Sequence, residues 1–306
     1  MKVLVATKKP FAAVAVKGIR DIVEAAGLEL VLLEKYTEKQ QLLEAVADVE
    51  AIIIRSDKVD AEVLDAAKNL KIVVRAGAGY DNVDLEAATA HQVVVMNTPG
   101  QNSNAVAELV VGMLIFAVRN QFDGTSGTEL KGKKIGLVAY GAIAQNLARI
   151  AKGLGMEIAA FSPTGNSKKI EDAGHQAYAT LEQLFAECDI VSLHMPSTPQ
   201  TKKSIGCDLI VKMKKKAVLV NTARKDIIDE EGLLKAMAER DDLRYVTDLK
   251  MDAHDEAVEK LGKRYFTTPK KMGAQTAEAN INAGLAAANQ IVGYLKDGIT
   301  TYQVNK

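Results

Sequence analysis

Short apolar runs alternate with amphipathic helical stretches along most of this chain, and this alternation restricts its fold more than any other feature. Runs such as residues 51–54 contain only apolar side chains, so both faces of such a strand must be covered. Amphipathic stretches such as residues 12–26 stand between the runs and can supply that cover. Strands that alternate with helices are typical of parallel sheets with helices on both faces. The sequence therefore predicts an α/β fold of doubly wound parallel sheets.

The predicted elements form two groups, separated by a polar break at Asn97-Thr98-Pro99-Gly100. The first group of strands is expected near residues 3–6, 28–33, 51–54, 72–74 and 93–95. The second group is expected near residues 135–138, 157–161, 190–193, 217–220, 245–247 and 265–267. A long apolar helix near 105–119 leads into the second group, and an alanine-rich helix near 274–295 returns to the first. We therefore predict two domains, residues 1–97 with 284–306 and residues 98–283.

Charge balance and composition restrict the partners of this chain. Basic and acidic residues are equal in number, 39 of each, which argues against nucleic acid or a membrane surface as the main partner. No apolar run approaches the ~20 residues that a membrane span needs. The four histidines are scattered, and the two cysteines show no metal-ligand spacing. Because the chain opens with a strand and not with a signal peptide, we expect a cytoplasmic protein with reduced cysteines and no bound metal.

A turn of small residues joins an apolar run that ends at Tyr140 to a helical pattern that continues to Gly155. The dinucleotide fingerprint Gly-x-Gly-x-x-Gly reads here as Ala139-x-Gly141-x-x-Ala144. Small residues let the backbone approach a pyrophosphate, which the N–H groups of the helix N-terminus can bind. Ala139 stands where the tight turn needs glycine. Taken alone, the turn predicts either a nucleotide site or an alanine-rich connection without a ligand.

Four further segments carry the most specific signal in the chain. They are Arg75-Ala76-Gly77-Ala78-Gly79-Tyr80-Asp81-Asn82, Asn97-Thr98-Pro99-Gly100, Leu193-His194-Met195-Pro196 and Asn221-Thr222-Ala223-Arg224. In this order and at these distances they resemble the D-2-hydroxyacid dehydrogenase family, most closely the short-type D-3-phosphoglycerate dehydrogenases, which lack C-terminal regulatory domains. The resemblance covers essentially the whole chain. It implies a flavodoxin-like substrate domain and a Rossmann dinucleotide-binding domain.

Residues that follow two strands of the first domain are suited to a phosphorylated acid. The loop at Ala78 and Gly79 offers N–H groups that can form a nest for a carboxylate, and a plain tight turn is the alternative. The resemblance places Arg55 and Ser56 in a phosphate-binding site. It also places Asn102 among the substrate-binding residues.

Arg224 follows a buried strand at its carboxyl end, where ligands bind in such sheets. A guanidinium there can hold a carboxylate through two hydrogen bonds and polarise the adjacent carbonyl, so we predict a catalytic role, with a surface charge as the alternative. The family's catalytic His after a Thr-Pro pair and its Glu partner are both missing, because Lys271 and Ala253 stand at their positions. Some short-type phosphoglycerate dehydrogenases are similar in having Lys there.

The loss of His and the loss of Glu are consistent with one change. A Glu raises the pKa of a neighbouring His, whereas a Lys starts at about 10.4 and has no tautomer to fix. Without the Glu, a place near Arg224 and the apolar Met272 should lower the pKa of Lys271. We predict that neutral Lys271 accepts the hydroxyl proton while the nicotinamide takes the hydride. The alternative is that Lys270 and Lys271 form an exposed basic pair in a crippled enzyme.

The resemblance implies a set of nucleotide-binding residues in the second domain. They are Tyr140, Gly141, Ala142, Ile143, Ser162, His194, Pro196, Thr222, Ala223 and Asp248. Ser162 stands where an acid would bind the ribose hydroxyls of NAD. A polar, basic cluster surrounds it in sequence, made of Ser162, Thr164, Asn166, Ser167, Lys168 and Lys169. We expect NAD as the cofactor, and Ser162 leaves NADP use or weakened NAD binding as alternatives.

The leading interpretation is an NAD(P)-dependent oxidoreductase that converts 3-phosphoglycerate to 3-phosphohydroxypyruvate, a reaction of serine biosynthesis. The alternatives are a glyoxylate or hydroxypyruvate reductase, and a nucleotide-sensing scaffold of the same fold that is no longer catalytic. Ala139, Ser162 and the missing His and Glu favour the scaffold, whereas Arg224 and Asp248 favour the enzyme. Because the family dimerises through its nucleotide domain, we expect a homodimer that acts on a small phosphorylated hydroxy acid.

Overall fold

The computed structural model describes residues 1–165 and 167–305, and it divides into two compact units. The first unit comprises Met1–Asn102 and the chain from Ala274 onward, and the second comprises Ser103–Gly273. The first change of unit therefore lies shortly after the predicted boundary at residue 97. The second lies before the last helix and not inside it at residue 284, because that whole helix packs on the first unit.

The first unit contains a parallel sheet of five strands, all of which the sequence predicted. They are β1 (Lys2–Thr7), β2 (Glu29–Glu34), β3 (Ala51–Ile54), β4 (Ile72–Arg75) and β5 (Val94–Asn97). Their order across the sheet is β2-β1-β3-β4-β5, and every neighbouring pair is parallel, with Val3 opposite Leu30 and Ala51. This is the flavodoxin-like order, so the predicted doubly wound fold of this unit is confirmed.

The second unit contains a parallel sheet of seven strands. They are β6 (Lys134–Val138), β7 (Glu157–Phe161), β8 (Gln176–Tyr178), β9 (Ile190–Leu193), β10 (Val218–Asn221), β11 (Arg244–Thr247) and β12 (Tyr265–Thr267). The order β12-β11-β10-β9-β6-β7-β8 contains that of a Rossmann sheet, as predicted, but the sheet has seven strands where the sequence indicated six. Only β8 escaped prediction, because it has three residues, lies at the sheet edge and pairs with β7 alone.

Helices cover both faces of each sheet. Within the described residues they are α1 (Ala13–Ala25), α2 (Lys39–Val46), α3 (Ala61–Ala66), α4 (Leu85–Ala90), α5 (Ser103–Val118), α6 (Ala142–Gly153), α7 (Lys168–Asp172), α8 (Leu181–Glu187), α9 (Cys207–Ile210), α10 (Glu230–Glu239), α11 (His254–Leu261) and α12 (Ala277–Asp297). Helices α4 and α11 were not predicted. The buried residues of α4 are limited to Ala88, and those of α11 to Ala257 and Leu261, so neither has a clear apolar face.

Alternate side chains of the strands of the first unit enter different apolar cores, as the pleat of a sheet requires. Val3 and Val5 face the core that α1 and α12 complete, whereas Leu4 faces the core on the other side. Helices α1 and α12 approach closely, since a Cβ on Gly18 would lie 2.5 Å from Cδ2 of Leu285. The α12 residues Ala283, Ala287, Ala288 and Ile291 are buried in the same core, so α12 belongs to the first unit.

The carboxyl ends of parallel strands lie at one edge of their sheet, and that edge is where ligands bind in such folds. The edge carries Arg75 and Asn97 in the first unit, and the residues after Phe161, Leu193 and Thr247 in the second. Within residues 1–165 and 167–305, no helix is both long enough and apolar enough to cross a membrane. In the same ranges, no three His, Cys, Asp or Glu side chains form a metal-binding group.

Candidate functional site

The turn between β6 and α6 has the backbone of a nucleotide-binding turn, although an alanine opens it. Ala139 has a left-handed φ of 69°, and its N–H donates to the Phe161 carbonyl at 2.9 Å. Gly141 is the N-cap of α6 and has no side-chain cap, and a Cβ on it would meet no atom within 4 Å. The first hydrogen bond of α6 runs from the Gln145 N–H to the Gly141 carbonyl at 3.0 Å. The helical N–H groups before Gln145 thus have no carbonyl partner in the helix, which suits a pyrophosphate.

The predicted residues around this turn differ in exposure. Gly141 and Ala142 are exposed and Ile143 is half-buried. Ala144 is fully buried and packs against the sheet, which is the packing role of the third fingerprint position. The ring of Tyr140 stands edge-on to His175 with centroids 5.9 Å apart, and burial raises the pKa of Tyr140. The open side of the turn is therefore lined by backbone and by small side chains.

Asp248 directly follows β11 and is fully buried. Its Oδ2 accepts hydrogen bonds from the N–H groups of Gly273 at 2.8 Å and Met272 at 3.1 Å. Its Oδ1 is buried and has no hydrogen-bond partner among the described residues. Burial raises the pKa of Asp248, and the two N–H groups and the charge of Lys271 oppose that rise. An oriented, unpaired acceptor of this kind is suited to the amide N–H₂ group of a ligand.

Two neutral side chains after β9 and β10 carry buried polar atoms without hydrogen-bond partners in the described part of the chain. Both ring nitrogens of His194 are buried, and burial lowers its pKa to about 4, so the ring is neutral at physiological pH. The backbone N–H of His194 donates to the Val138 carbonyl at 2.9 Å, and this hydrogen bond holds His194 beside the end of β6. The Thr222 hydroxyl is the second such group. Of the other predicted residues here, Pro196 is exposed and Ala223 is buried.

Arg224 lies in a turn that Asn221 holds at the end of β10. The Asn221 amide donates to the Arg224 carbonyl at 2.9 Å and accepts from the Ala223 N–H at 3.0 Å. The Arg224 side chain is half-buried, and its Nη1 donates to the Ala223 carbonyl at 2.9 Å. The structure thus places Arg224 at the ligand-binding edge of the second sheet, as predicted from its position after the strand.

Lys271 is exposed, and so is its neighbour Met272 at 38%. The Thr268 hydroxyl donates to the Lys270 carbonyl at 2.7 Å and shapes the segment that carries both lysines. The prediction for Lys271 relied on apolar surroundings, but Lys271 and Met272 are both exposed. The assignment of Lys271 as the proton acceptor stays a prediction.

Ser162 directly follows β7 and opens a tight turn. Its carbonyl accepts from the Gly165 N–H at 3.0 Å, and its hydroxyl lies 3.1 Å from the Thr164 hydroxyl. Lys168 and Lys169 begin α7 and are exposed. Asn166 of the predicted cluster lies outside the described residues. No acid stands in the sequence between 162 and 169, so a carboxylate for the ribose hydroxyls is missing from this segment.

The loop after β4 in the first unit has its shape fixed by Arg75 and Gly77. Gly77 has a φ of 148°, a conformation that favours glycine, and a Cβ there would displace the guanidinium of Arg75. The Asn97 amide donates to the Ala78 carbonyl at 2.6 Å. The N–H groups of Ala78 and Gly79 donate to none of the described residues. Two adjacent free donors are what the predicted carboxylate nest requires.

Arg55 follows β3 and its guanidinium is anchored by uncharged groups. Its Nη1 donates to the carbonyls of Lys9 at 2.9 Å and Pro10 at 3.2 Å. Its Nη2 donates to Oδ1 of Asn280, and its Cζ lies 5.1 Å from the centre of the Phe11 ring. Burial lowers the pKa of Arg55. The Nε–H and one Nη2–H remain for a ligand.

Comparison with known proteins identifies the family. Residues 114–264 match the family described as "D-isomer specific 2-hydroxyacid dehydrogenase, NAD binding domain". A hydroxypyruvate reductase of Thermotoga maritima is 34% identical over 283 residues, which cover 86% of this chain and 90% of that protein. The chain belongs to the D-2-hydroxyacid dehydrogenase family. The predicted family and the predicted NAD-binding domain are confirmed.

Two further relatives of this D-2-hydroxyacid dehydrogenase bear the name that the sequence analysis favoured. A D-3-phosphoglycerate dehydrogenase of Methanocaldococcus jannaschii is 34% identical over 286 residues, 87% of this chain. The chain spans about half of that relative, 54% of its length. The solved structure of an NAD⁺-bound 3-phosphoglycerate dehydrogenase of Entamoeba histolytica is 47% identical, with a TM-score of 0.89, and the match covers 100% of this chain and 99% of that chain.

Sequence reasoning missed several polar residues that hold the ligand-side loops of this dehydrogenase. Asp57 is buried, and its Oδ1 accepts from the Tyr36 hydroxyl and the Lys8 N–H, both at 2.8 Å. Asp57 could have been found from the sequence, because it is a charged residue shortly after a buried strand. No pattern in the sequence pointed to Asn280, because it lies on a helix far along the chain from Arg55. The predicted Ser56 is exposed beside Asp57.

Asn102, the last residue of the first stretch of the first unit, was predicted to bind substrate. Its side-chain Oδ1 is buried and has no hydrogen-bond partner among the described residues. An unpaired buried acceptor is costly, as at Asp248, and a ligand with a hydroxyl donor would satisfy it. The geometry of Asn102 is therefore compatible with the predicted role.

Proposed function

We propose that this chain is an NAD-dependent dehydrogenase of a phosphorylated 2-hydroxy acid, with 3-phosphoglycerate and 3-phosphohydroxypyruvate as the substrate pair. The observation that carries the proposal is the end-to-end similarity to the Entamoeba histolytica enzyme at 47% identity. The loop at Ala78 and Gly79 and the guanidinium of Arg224 add the two carboxylate-binding features that such a substrate needs.

The unpaired groups of the second unit fit a dinucleotide. The open turn at Gly141 and the N-terminus of α6 would hold the pyrophosphate, and Ser162 would face the adenosine ribose. The neutral His194 would lie along the adenine side, with Pro196. The unpaired Oδ1 of Asp248 would accept from the nicotinamide amide. NAD, when bound, supplies the acceptor for the hydride.

The residues of the first unit would bind the substrate by its two ends. The N–H groups of Ala78 and Gly79 would hold the carboxylate, and Asn102 would contact the substrate through its side-chain amide, which leaves the C2 hydroxyl proton for Lys271. Arg55 and Ser56 would hold the phosphate. From the second unit, Arg224 would bind the carboxylate and polarise the carbonyl that forms at C2.

Lys271 would carry the proton. In the oxidation the neutral amine of Lys271 accepts the hydroxyl proton, and in the reduction its ammonium returns a proton to the carbonyl oxygen. Because a rise in pH populates the neutral amine, we expect the rate of the oxidation to increase with pH.

We also propose that the chain forms a homodimer through the second unit. Phe122 is 65% exposed there, and Asn120, Gln121 and Phe122 all have left-handed φ angles between 52° and 59°. Such strain persists only where neighbours enforce it. Here the Arg244 Nη2 donates to the Asn120 Oδ1 at 2.7 Å. A rigidly held, exposed aromatic side chain is typical of an interface anchor.

One observation favours an unphosphorylated substrate instead. The guanidinium of Arg55 already donates to two carbonyls and to Asn280. If those contacts exclude a phosphate, a hydroxypyruvate or glyoxylate reductase is the better assignment.

One assay separates the candidates. The absorbance of NADH and of NADPH is followed with 3-phosphohydroxypyruvate, hydroxypyruvate and glyoxylate in turn. We expect kcat/KM to be at least ~10-fold higher with 3-phosphohydroxypyruvate, a difference of about 1.4 kcal/mol in transition-state stabilisation. Higher kcat/KM with an unphosphorylated acid would overturn the phosphate assignment, and no rate with any of the three would favour the scaffold.

A further inference from the structure

We propose that Asn280 is a positioning residue that aims the Arg55 guanidinium at the distal anion of the substrate, and so sets the preference for phosphorylated over unphosphorylated 2-hydroxy acids. The inference rests on the proposed function, because it concerns the phosphate end of that substrate. Asn280 and Arg55 are 225 positions apart in the chain, yet both belong to the first unit.

The amide of Asn280 is held in one orientation. Asn280 lies in the first turn of α12, whose N-cap is Thr276. Its Nδ2 donates to the Thr276 carbonyl at 2.6 Å. Only the Nδ2 end can donate, so the Oδ1 end is turned towards Arg55 and accepts from Nη2. The start of α12 therefore fixes the acceptor to which the guanidinium is tied.

The anchoring of Arg55 leaves two donors. Both N–H groups of Nη1 face the carbonyls of Lys9 and Pro10, and Asn280 takes one N–H of Nη2. Of the five guanidinium N–H groups, the Nε–H and one Nη2–H remain. Two such donors on one planar group can bind two oxygens of a phosphate.

The anchors also leave the charge of Arg55 unneutralised. Lys9 and Pro10 offer carbonyls, Asn280 offers an amide, and all three groups are uncharged. The nearby carboxylate of Asp57 acts on Arg55 through space only, since no hydrogen bond or ion pair joins the two. Oδ1 of Asp57 accepts from Tyr36 and Lys8, and its Oδ2 is buried without a partner among the described residues. An aspartate at position 280 would form an ion pair with Arg55 and compete with a phosphate. Asn280 orients the cation without cancelling it.

The test replaces Asn280 by Ala, Ser and Asp and measures KM and kcat with 3-phosphohydroxypyruvate and with hydroxypyruvate, at saturating NADH. With Asn280→Ala we expect KM for the phosphorylated acid to rise ~5- to 20-fold, since one hydrogen bond to a charged group is lost, while kcat stays within ~2-fold. Asn280→Asp should raise that KM further. Asn280→Ser, which keeps a hydroxyl acceptor, should lie between wild type and Ala. KM for hydroxypyruvate should not change in any of the three.

Two controls make the outcome decisive. Asn289 lies on the same helix and donates to the Leu285 carbonyl at 3.0 Å in the same way, but its side chain is exposed and accepts from no arginine in the described part of the chain. Asn289→Ala should leave both KM values unchanged. Arg55→Ala tests the proposed function itself, because it should raise KM for the phosphorylated acid alone.

The two proposals fail differently. If Arg55→Ala raises KM selectively and the Asn280 variants do not, the positioning role is wrong and the phosphate assignment survives. If Arg55→Ala affects both acids equally or neither, the phosphate assignment fails. If the Asn280 variants raise both KM values together, the role of Asn280 is structural and the inference is overturned.

Discussion

The Gly273 N–H donates to Oδ2 of Asp248 at 2.8 Å, while Oδ1 of the same carboxylate is buried without a partner among the described residues. Glycine favours this approach, since a Cβ on Gly273 would be in tight contact, 3.3 Å from Oδ2 and 3.1 Å from Cγ2 of Val106. A buried charge with one oxygen unpaired costs free energy of folding. The chain therefore keeps, at the end of β11, an acceptor that a bound nicotinamide amide would satisfy.

Replacing Asp248 by Asn should weaken binding of NADH ~10-fold, or about 1.4 kcal/mol, without loss of stability. The oxygen of an asparagine can still accept from Met272 and Gly273 only if its N–H₂ group takes the place of the unpaired Oδ1. That N–H₂ group would then face the N–H₂ group of the nicotinamide amide, and two donors cannot form a hydrogen bond. The measurement is a fluorescence titration with NADH. The matched control is Asp252→Asn, because Asp252 is exposed and pairs with Lys225. An unchanged NADH affinity would remove Asp248 from the site.

The same carboxyl should affect stability with pH. Burial raises the pKa of Asp248 above its ordinary value of 3.8, so the folded state binds the proton more tightly than the unfolded state. The resulting stabilisation is present below pH 3.8 and is lost as the pH rises through the folded pKa. An asparagine at this position does not titrate and would show no such pH dependence. Between pH 3.8 and neutrality, Asp248→Asn should therefore gain unfolding free energy relative to wild type, measured by urea denaturation at several pH values.

Replacing Ala139 by Gly should tighten NAD binding without a large change in stability. The left-handed φ of 69° costs an alanine about 1 kcal/mol, and glycine loses about 0.5–1 kcal/mol more on folding through its conformational entropy, so the two nearly cancel. A glycine lets the turn adjust to the pyrophosphate, which calorimetric titration with NAD would register. Unchanged affinity would show that the turn already accommodates the methyl group. Ala139→Val should be unstable, since a β-branched residue is strained at this φ.

Much of this fold could be predicted from local patterns. The apolar runs indicated all five strands of the first sheet, and they indicated every strand of the second except β8. The helix after Gly141 could also be predicted, because small residues mark the turn at its start and an apolar stripe marks its buried face. The left-handed turn at Ala139 was also predictable, since the fingerprint normally has glycine there.

The contacts that shape the candidate sites could not be predicted in this way. No local pattern joins Arg55 to Asn280 or Asp57 to Tyr36, because each pair meets only when distant elements pack together. The exposure of Lys271 and Met272 was likewise unpredictable, since an apolar residue in a loop is buried or exposed according to its tertiary neighbours.

Replacing Ser162 by Asp should shift the cofactor preference towards NADH. A carboxylate after β7 would accept from both ribose hydroxyls, whereas the Ser162 hydroxyl lies 3.1 Å from Thr164 and carries no charge. We expect the ratio of kcat/KM for NADH over NADPH to rise ~10- to 100-fold, as repulsion between the carboxylate and a 2′-phosphate adds to the gain for NADH. Thr164→Asp, two residues along the same turn, is the control. An unchanged ratio would show that the ribose is held elsewhere.

Replacing Lys271 by Ala should lower kcat by ~10²- to 10⁴-fold, because the proton acceptor of the oxidation is lost. The alkaline limb of the pH–rate profile should disappear with it. Lys270→Ala is the matched control, because Lys270 is also exposed and an alanine keeps the backbone carbonyl that accepts from Thr268. This variant should leave both the turnover and the pH–rate profile unchanged. Lys271→His should recover part of the rate with a limb near the ordinary imidazole pKa of about 6.5, well below that of wild type. If Lys271→Ala keeps normal turnover and the normal pH profile, the proton passes through another group and the lysine pair is a solvated surface feature.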